Sequence, residues 1–325
     1  MPEPGADILT LAMTTFPAPA AYTVLNITVA VNPRAAFGGN RKKSPGNTGD
    51  MVVARLREAG HHVTVLRRRD YAALQEAVDA EIAAGTHALV VVGGDGMVHL
   101  AANALAHTSI PLGIIPAGTG NDAARGLGLD HQDASAAVEH FIQRCQQPPR
   151  TVDLGRIGRD GQDPVWFMGA FSAGFDALVN ERANGWRWPH GPMRYNLAIL
   201  RELAFLKPLN YAVRVDGVVR QQPALLIAVS NGISFGGGMK ITPDAEYDDG
   251  WLDLFVVSPV PRRTFLRIFP LVFSGRHTDH PAVSIERVRE VVFNAPTLVA
   301  YADGERMGAL PALVSVDPGA LQLWV

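Results

Sequence analysis

The chain has 325 residues, 47% of them hydrophobic and 18% charged, with a formal net charge of −2. That composition supplies full cores and excludes a disordered chain, and the charge balance carries no footprint for nucleic acid. A single cysteine, Cys145, excludes an internal disulfide and a cysteine-built zinc site, and it fits a reducing, cytoplasmic setting.

The first residues, Met1 to Asp7, are acidic, and the stretch from Ile8 to Pro33 carries no charge. A secretory signal needs Lys or Arg ahead of its apolar part. Pro17, Pro19 and several threonines speak against a membrane-spanning helix. Residues 1–25 are therefore expected to form an N-terminal extension, and no other uncharged run approaches the length of a membrane span.

From residue 26 to 150 strands and helices alternate. The predicted strands are Ile27–Val31, His62–Leu66, Ala88–Val92 and Pro111–Ile115. The helices between them cover Gly49–Ala59, Tyr71–Ala84 and Met97–Ala106, the first two closed by Gly60 and Gly85. This alternation predicts a doubly wound α/β domain with a parallel sheet, which binds its ligand at the carboxyl ends of the strands. From 151 to 325 the apolar period shifts toward two. Short runs at Val165–Ala173, Tyr211–Val215, Leu225–Ser230, Leu252–Val257, Val291–Ala295, Leu298–Ala302 and Ala312–Val316 are separated by Gly, Pro and Asp turns. That predicts a β-sandwich-like second domain, interrupted by one helix at about Met193–Leu206.

Two glycine-rich segments follow apolar runs in the first domain. One is Gly93-Gly94-Asp95-Gly96 and the other is Gly118-Thr119-Gly120-Asn121-Asp122. Glycines let backbone N–H groups approach a polyphosphate, and a carboxylate among them suits Mg²⁺. Both loops fall at predicted strand ends, which points to a nucleotide site. No G-x-x-x-x-G-K-[ST] loop occurs, so the lysine-anchored phosphate loop is excluded. Gly118 to Ala123 fits the dinucleotide pattern G-x-G-x-x-A, but no acidic residue follows at the usual distance after a clear second strand.

Taken together, Asn32-Pro33, the two glycine loops, Gly174-Phe175-Asp176, Ser230-Asn231, Gly236-Gly237-Gly238, Asp249-Gly250 and Asp303-Gly304-Glu305 resemble the diacylglycerol kinase catalytic family. The resemblance covers nearly the whole chain from Ile27. It is strongest to the soluble bacterial diacylglycerol kinases, in a superfamily shared with sphingosine, ceramide and NAD kinases. It implies an ATP-dependent lipid kinase, with Asp95 and Asp122 at a catalytic Mg²⁺ and Asp153 in the outer network. Asn32, Pro33, Gly38, Gly93, Gly94, Gly96, Gly118, Thr119, Gly120 and Asn121 would surround the nucleotide. Asp303 would take the substrate proton in an Asp-Gly-Glu turn, with Glu305 near the chemistry. A second, structural Mg²⁺ would sit on the Asp249 side chain and the carbonyls of Glu246 and Trp251. One departure stands out: the family Thr after Gly-Gly-Asp-Gly is Met97 here, which removes a hydroxyl that could touch the phosphates.

Each of these residues also has a plainer reading. Asp95 and Asp249 suit tight turns, Asp122 a helix N-cap, Asn32-Pro33 a turn start, and Asp303-Gly304 a hairpin tip. Trp186-Arg187-Trp188, Arg194, Tyr195 and Arg201 mix aromatics with cations as an interfacial anchor does, yet Leu197, Leu200 and Leu203 keep core spacing. The expected partners are ATP, a diacylglycerol-like lipid and transiently the inner membrane face. Nucleic acid is not expected, and a homodimer is compatible with the sequence without being marked by it. The rival functions are a kinase of another lipid alcohol, such as sphingosine or ceramide, and a nucleotide- or lipid-binding module without turnover.

Overall fold

The computed structural model describes residues 23–32, 45–174, 207–295 and 298–325. Pro33, Gly38, the aromatic–cationic segment Trp186–Trp188 with Arg194, Tyr195 and Arg201, and the helix expected at Met193–Leu206 lie outside the described residues, as does most of the N-terminal extension.

The first half alternates as expected. Strands β1 (Asn26–Val31), β2 (His62–Arg67), β3 (Ala88–Gly93) and β4 (Leu112–Pro116) are separated by helices α1 (Pro45–Glu58), α2 (Tyr71–Ala83) and α3 (Asp95–Leu105). They pair in parallel in the order β2-β1-β3-β4. Successive residues of β3 serve opposite faces: Val90 and Val92 pack with α1, whereas Leu89 and Val91 pack with α2 and α3. A strand buried on both sides needs no polar alternation, which explains the unbroken apolar run. Local signals set the helix starts. The Asp70 side chain accepts from the Ala73 N–H at the head of α2. Two more helices follow β4, α4 (Asp122–Gly126) and α5 (Ala134–Arg144), before β5 (Arg150–Gly158).

The second half is antiparallel. Its first strands are β6 (Val165–Phe167), β7 (Ala170–Ala173), β8 (Leu209–Val215), β9 (Val218–Ala224), β10 (Leu226–Ser230) and β11 (Leu252–Val257). Helix α6 (Arg262–Ile268) and two 3₁₀ turns, Phe269–Ser274 and Arg276–Asp279, come next. The chain ends with β12 (Val283–Val288), β13 (Glu290–Asn294), β14 (Val299–Ala302), β15 (Glu305–Ala309) and β16 (Ala312–Leu323). A six-stranded sheet, β12-β11-β10-β7-β14-β15, stacks on the antiparallel part of the larger sheet. Phe171, Ile227 and Leu254 of one sheet meet Tyr211, Phe293 and Val314 of the other in the sandwich core.

Two expected strands differ. Val165–Ala173 is not one strand: it breaks at Met168-Gly169, with β6 in the large sheet and β7 in the small one. The break frees two backbone N–H groups that are used in the site below. The last strand does not stop at Val316 but continues to Leu323. Its pairing with β5 shifts register between Asp317 and Leu321, so Pro318-Gly319 marks an irregularity rather than an end. Through β16 the large sheet continues from β4 to β13, and the end of the chain packs Leu321 and Leu323 into the first-half core. The division at residue 150 is thus a reading of sequence pattern, and the hydrogen-bonded sheet runs across it.

Candidate active site

Both glycine loops leave adjacent parallel strands, β3 and β4, at their carboxyl ends. They touch through bare backbone. A methyl group on Gly118 would lie 2.3 Å from Gly94 Cα, and one on Gly94 would lie 3.0 Å from Gly118 Cα. Asn121 locks the second loop: its Oδ1 accepts from the Gly118 N–H at 3.0 Å and its Nδ2 donates to the Gly118 and His131 carbonyls. Asn121 holds φ 54°, a left-handed conformation that asparagine tolerates. Thr119 is exposed at the tip, and Asn32 lies beside Gly93 at the end of β1.

Asp95 opens α3 and reaches the head of α4, where its Oδ1 accepts from the Ala123 N–H at 3.1 Å. Asp122 is not the cap of α4 but its first residue, after Asn121 at the cap position, and its side chain turns elsewhere. Its two oxygens accept from Gly237 N–H at 2.6 Å and Gly238 N–H at 2.7 Å, more than a hundred residues away. Gly237 and Gly238 have φ of 86° and 98°, so the glycine run is required by backbone conformation. The carboxylates of Asp95 and Asp122 flank Gly120: a methyl there would lie 2.7 Å from Asp95 Oδ2 and 3.5 Å from Asp122 Oδ2.

The turn between β14 and β15 comes from the other half of the chain. Asp303 Oδ1 accepts from the Gly169 N–H at 2.8 Å and Oδ2 from the Met168 N–H at 2.9 Å. Asn231 holds that strand break in place, donating from Nδ2 to the Asp153 and Met168 carbonyls and from its backbone N–H to Gly169. His99 Nδ1 lies 3.3 Å from Asp303 Oδ2, and both side chains are buried, at 8% and 7% exposure. An ionised carboxylate only accepts, so the Nδ1–H tautomer of His99 fits this contact. Glu305 is exposed at the cleft edge, its Oε1 3.3 Å from where a Gly96 methyl would stand. The acidic turn therefore faces the first glycine loop.

The Diacylglycerol kinase catalytic domain model matches residues 26–157, and the YegS C-terminal NAD kinase beta sandwich-like domain model matches residues 169–325. Over 303 residues the chain is 40% identical to the "Diacylglycerol kinase" of Mycobacterium tuberculosis strain H37Rv, covering 93% of this chain and 96% of that one. The chain belongs to the diacylglycerol kinase family. It is also 32% identical to the "Probable lipid kinase YegS-like" of Chromohalobacter salexigens over 63% of this chain and 65% of that protein. A solved structure described as a diacylglycerol kinase from Bacillus anthracis superposes with a TM-score of 0.65 at 21% identity, over 92% of this chain and 96% of that one. That likeness carries the fold.

Two features of this family member were not anticipated from its sequence. No motif in the sequence marks His99, although Asp95, His99 and Asn103 recur every fourth residue and so share one helix face. That face meets the second half: Asn103 donates from Nδ2 to the Trp166 carbonyl and accepts the Trp166 N–H at Oδ1. Nothing in the sequence singles out Tyr247 either. It is buried with its hydroxyl wedged between Gly126 and Gly232, where methyl groups would approach to 2.4 and 2.5 Å. Burial, and then the charges of Asp303, Asp122 and Asp95, push its pKa up.

Met97 is 1% exposed and packs against Gly93 in the first-half core. Position 97 therefore faces inward, away from the loop surface where a hydroxyl would meet phosphates. Met97→Thr is expected to lower stability by roughly 2 kcal/mol through lost packing, measured by urea unfolding, without improving ATP affinity.

Asp153 is buried, and its oxygens accept from the Gly250 N–H at 2.7 Å and the Gly319 N–H at 2.8 Å. Its hydrogen bonds thus tie the 247–250 segment to β16. Asp249 Oδ1 accepts from its own turn at Trp251 N–H, and Oδ2 pairs with Arg287. Glu246 is exposed, and the Arg289 guanidinium lies 4.4 Å over the Trp251 ring. Among the described residues no three His, Cys, Asp or Glu side chains converge as a metal cage.

The carboxyl of Asp95 is pushed up from 3.8 to about 6, first by burial, then by Asp122, with a smaller push from Asp303. Such a group stabilises the fold in its protonated form. That contribution is full below about 3.8 and is lost as pH rises through about 6. With a chelator present, the melting temperature of the wild type should therefore fall over that window, and Asp95→Asn should remove that share of the fall. Asp253, also pushed up to about 6, keeps its own slope in both proteins. Parallel melting curves across the window would contradict the assignment.

Proposed function

We propose that this family member transfers the γ-phosphoryl group of ATP to the free hydroxyl of diacylglycerol and releases ADP and phosphatidic acid. The observation that supports the reading is the meeting of two parts: glycine loops that touch through bare backbone, and the Asp303 carboxylate held by two backbone N–H groups in the turn that faces them. Phosphoryl transfer needs little covalent chemistry from a protein. It needs in-line placement, charge neutralisation and a group to receive the alcohol proton.

The Gly93–Gly96 and Gly118–Asn121 loops would bind the triphosphate through backbone N–H groups. Asn32, Pro33, Gly38 and the exposed Thr119 would line the rest of the nucleotide. Asp303 would accept the substrate hydroxyl proton as oxygen attacks phosphorus, and the bond from phosphorus to the β-phosphate oxygen breaks. His99, by holding Oδ2, keeps the Asp303 carboxylate aimed, and Glu305 would stand at the entrance beside Gly96.

A divalent cation fits the first carboxylate pair. Asp95 and Asp122 are like charges on either side of Gly120, and Asp95 is raised in pKa by burial first and then by Asp122. Mg²⁺ would be held by Asp95 with Asp122 beside it, where it would neutralise phosphate charge; Asp153 would support the set from its outer position. The fit is poorer at Asp249, Glu246 and Trp251, because Arg287 already neutralises Asp249.

Diacylglycerol, monoacylglycerol, sphingosine and ceramide at equal mole fraction in mixed micelles, with NAD as the soluble control, decide the acceptor. The reading predicts label from ATP in phosphatidic acid. Label in a sphingoid base would retain the mechanism and replace the substrate.

A further inference from the structure

Helix α6 and the 3₁₀ turns after it form a helical excursion that covers the outer face of the six-stranded sheet. Phe265 and Val272 point inward and pack with Phe255 and Val257. Three large apolar side chains of the same excursion point to solvent: Leu266 is 46% exposed, Leu271 36% and Phe273 51%. Among the described residues the other exposed large apolar side chains, Val24, Tyr71, Val218, Val219 and Ile285, are spread over four other segments. Clustered exposed apolar groups on one short segment mark an interaction surface.

The charge around that patch is one-sided. From Leu254 to Thr278 the chain contains no Asp or Glu, in a protein whose net charge is negative. Arg262, Arg263, Arg267 and Arg276 are all exposed there, and none makes an ion pair among the described residues. Elsewhere six arginines, Arg55, Arg67, Arg150, Arg214, Arg220 and Arg287, meet carboxylates. Exposed leucine and phenylalanine interleaved with unpaired arginines is the composition of a helix lying in a lipid headgroup layer.

The patch is also tied to the site. The Lys240 N–H donates to the Val272 carbonyl, and His277 Nε2 contacts the Ile241 carbonyl. Lys240 is exposed and follows Gly237 and Gly238, the residues whose N–H groups hold Asp122. The excursion is therefore braced against the segment that completes the carboxylate pair.

We propose that the Arg262–Arg276 excursion, with Lys240, is the surface on which this protein sits on an anionic lipid bilayer. The proposal rests on the lipid-kinase reading for its purpose, but its test does not. Full-length protein, without ATP or diacylglycerol, is sedimented with vesicles of phosphatidylcholine alone or with phosphatidylglycerol. Wild type is expected to bind the anionic vesicles and not the neutral ones. Arg262→Gln/Arg267→Gln should lower the partition coefficient about 30-fold, from two cations lost at an anionic surface. Leu266→Ser/Phe273→Ser should lower it by a similar factor. Transfer to a water-soluble short-chain diacylglycerol, measured without vesicles, should stay at the wild-type level in both, which also shows that they fold. Unchanged vesicle binding in both variants, or no binding by wild type, overturns the proposal. So does concentration-dependent self-association in wild type that both variants lose, which would assign the patch to a second copy of the chain. Loss of short-chain transfer in the wild type would instead overturn the lipid-kinase reading and leave the vesicle result to stand by itself.

Discussion

Asp303→Asn should lower phosphoryl transfer by about 10²–10⁴-fold, the range for removing a general base, while ATP affinity stays within about twofold. The substitution is a clean one for its position. Residue 303 holds φ 50°, a left-handed conformation that Asn adopts as readily as Asp. The volume is unchanged. One of the Met168 and Gly169 N–H groups would face the new amide NH₂ instead of an oxygen, which costs roughly 1–2 kcal/mol of stability. The fold should therefore survive while the proton acceptor is gone. His99→Asn, by contrast, leaves the carboxylate and its two backbone donors in place. It should reduce kcat about tenfold with little change in KM, the signature of an aim that has loosened rather than of a missing base. Stopped-quench measurements of transfer on both variants, beside equilibrium ATP binding, check the pair. An Asp303→Asn enzyme with near wild-type transfer would remove Asp303 from the chemistry.

Gly118→Ala should be the most damaging single methyl group in the nucleotide half. The new carbon would stand 2.3 Å from Gly94 Cα, 2.9 Å from Gly94 N and 2.9 Å from Asn121 Oδ1. Two of these three atoms are backbone of the neighbouring loop and cannot rotate away. The third is the side chain that locks the Gly118 loop itself, through its bonds to the Gly118 N–H and carbonyl. Relief requires the loops after β3 and β4 to part, which moves the cradle that would hold the phosphates. A loss of roughly 3 kcal/mol or more follows from overpacking against backbone, with at least a hundredfold weaker ATP binding. Gly128→Ala is the control: its φ of 74° disfavours a side chain, but nothing lies within 4 Å. Its effect should be confined to roughly 1 kcal/mol of backbone strain, with ATP binding intact. Urea unfolding and calorimetric titration separate the two. Equal behaviour of the two variants would mean that the loop contact is not what the Gly118 position protects.

Much of this arrangement was legible in the chain itself. The doubly buried strands announce themselves as unbroken apolar runs, and the glycine loops follow them because bare backbone must pass bare backbone there. The Asp303 turn is legible as a hairpin tip, and only the family resemblance gives its carboxylates a role. What was hidden depends on contacts between distant residues. Asp122 reads as a helix cap, and nothing local says that its oxygens reach Gly237 and Gly238. His99 reads as one more residue of an apolar helix until the fold brings Asp303 to it. Met97 reads as a lost hydroxyl at the phosphates, yet the helix turn from Asp95 carries position 97 into the core. Val165–Ala173 reads as one strand because its residues are nearly all apolar, while the break at Met168-Gly169 presents N–H groups to Asp303. Helix α6 and the 3₁₀ turn after it have too few residues for a clear period, so their exposed Leu266, Leu271 and Phe273 could not be told from core positions by pattern.

The central claim is that a carboxylate from each half of the chain serves one reaction. The most direct measurement is single-turnover transfer of labelled γ-phosphate from ATP to diacylglycerol in mixed micelles with Mg²⁺, by wild type, Asp95→Asn and Asp303→Asn, with ATP binding recorded on the same samples. The account predicts labelled phosphatidic acid from the wild type and its loss in both variants, with Asp303→Asn still binding ATP. Transfer that persists in either variant, or ATP bound by the wild type with no label in any lipid, would contradict it.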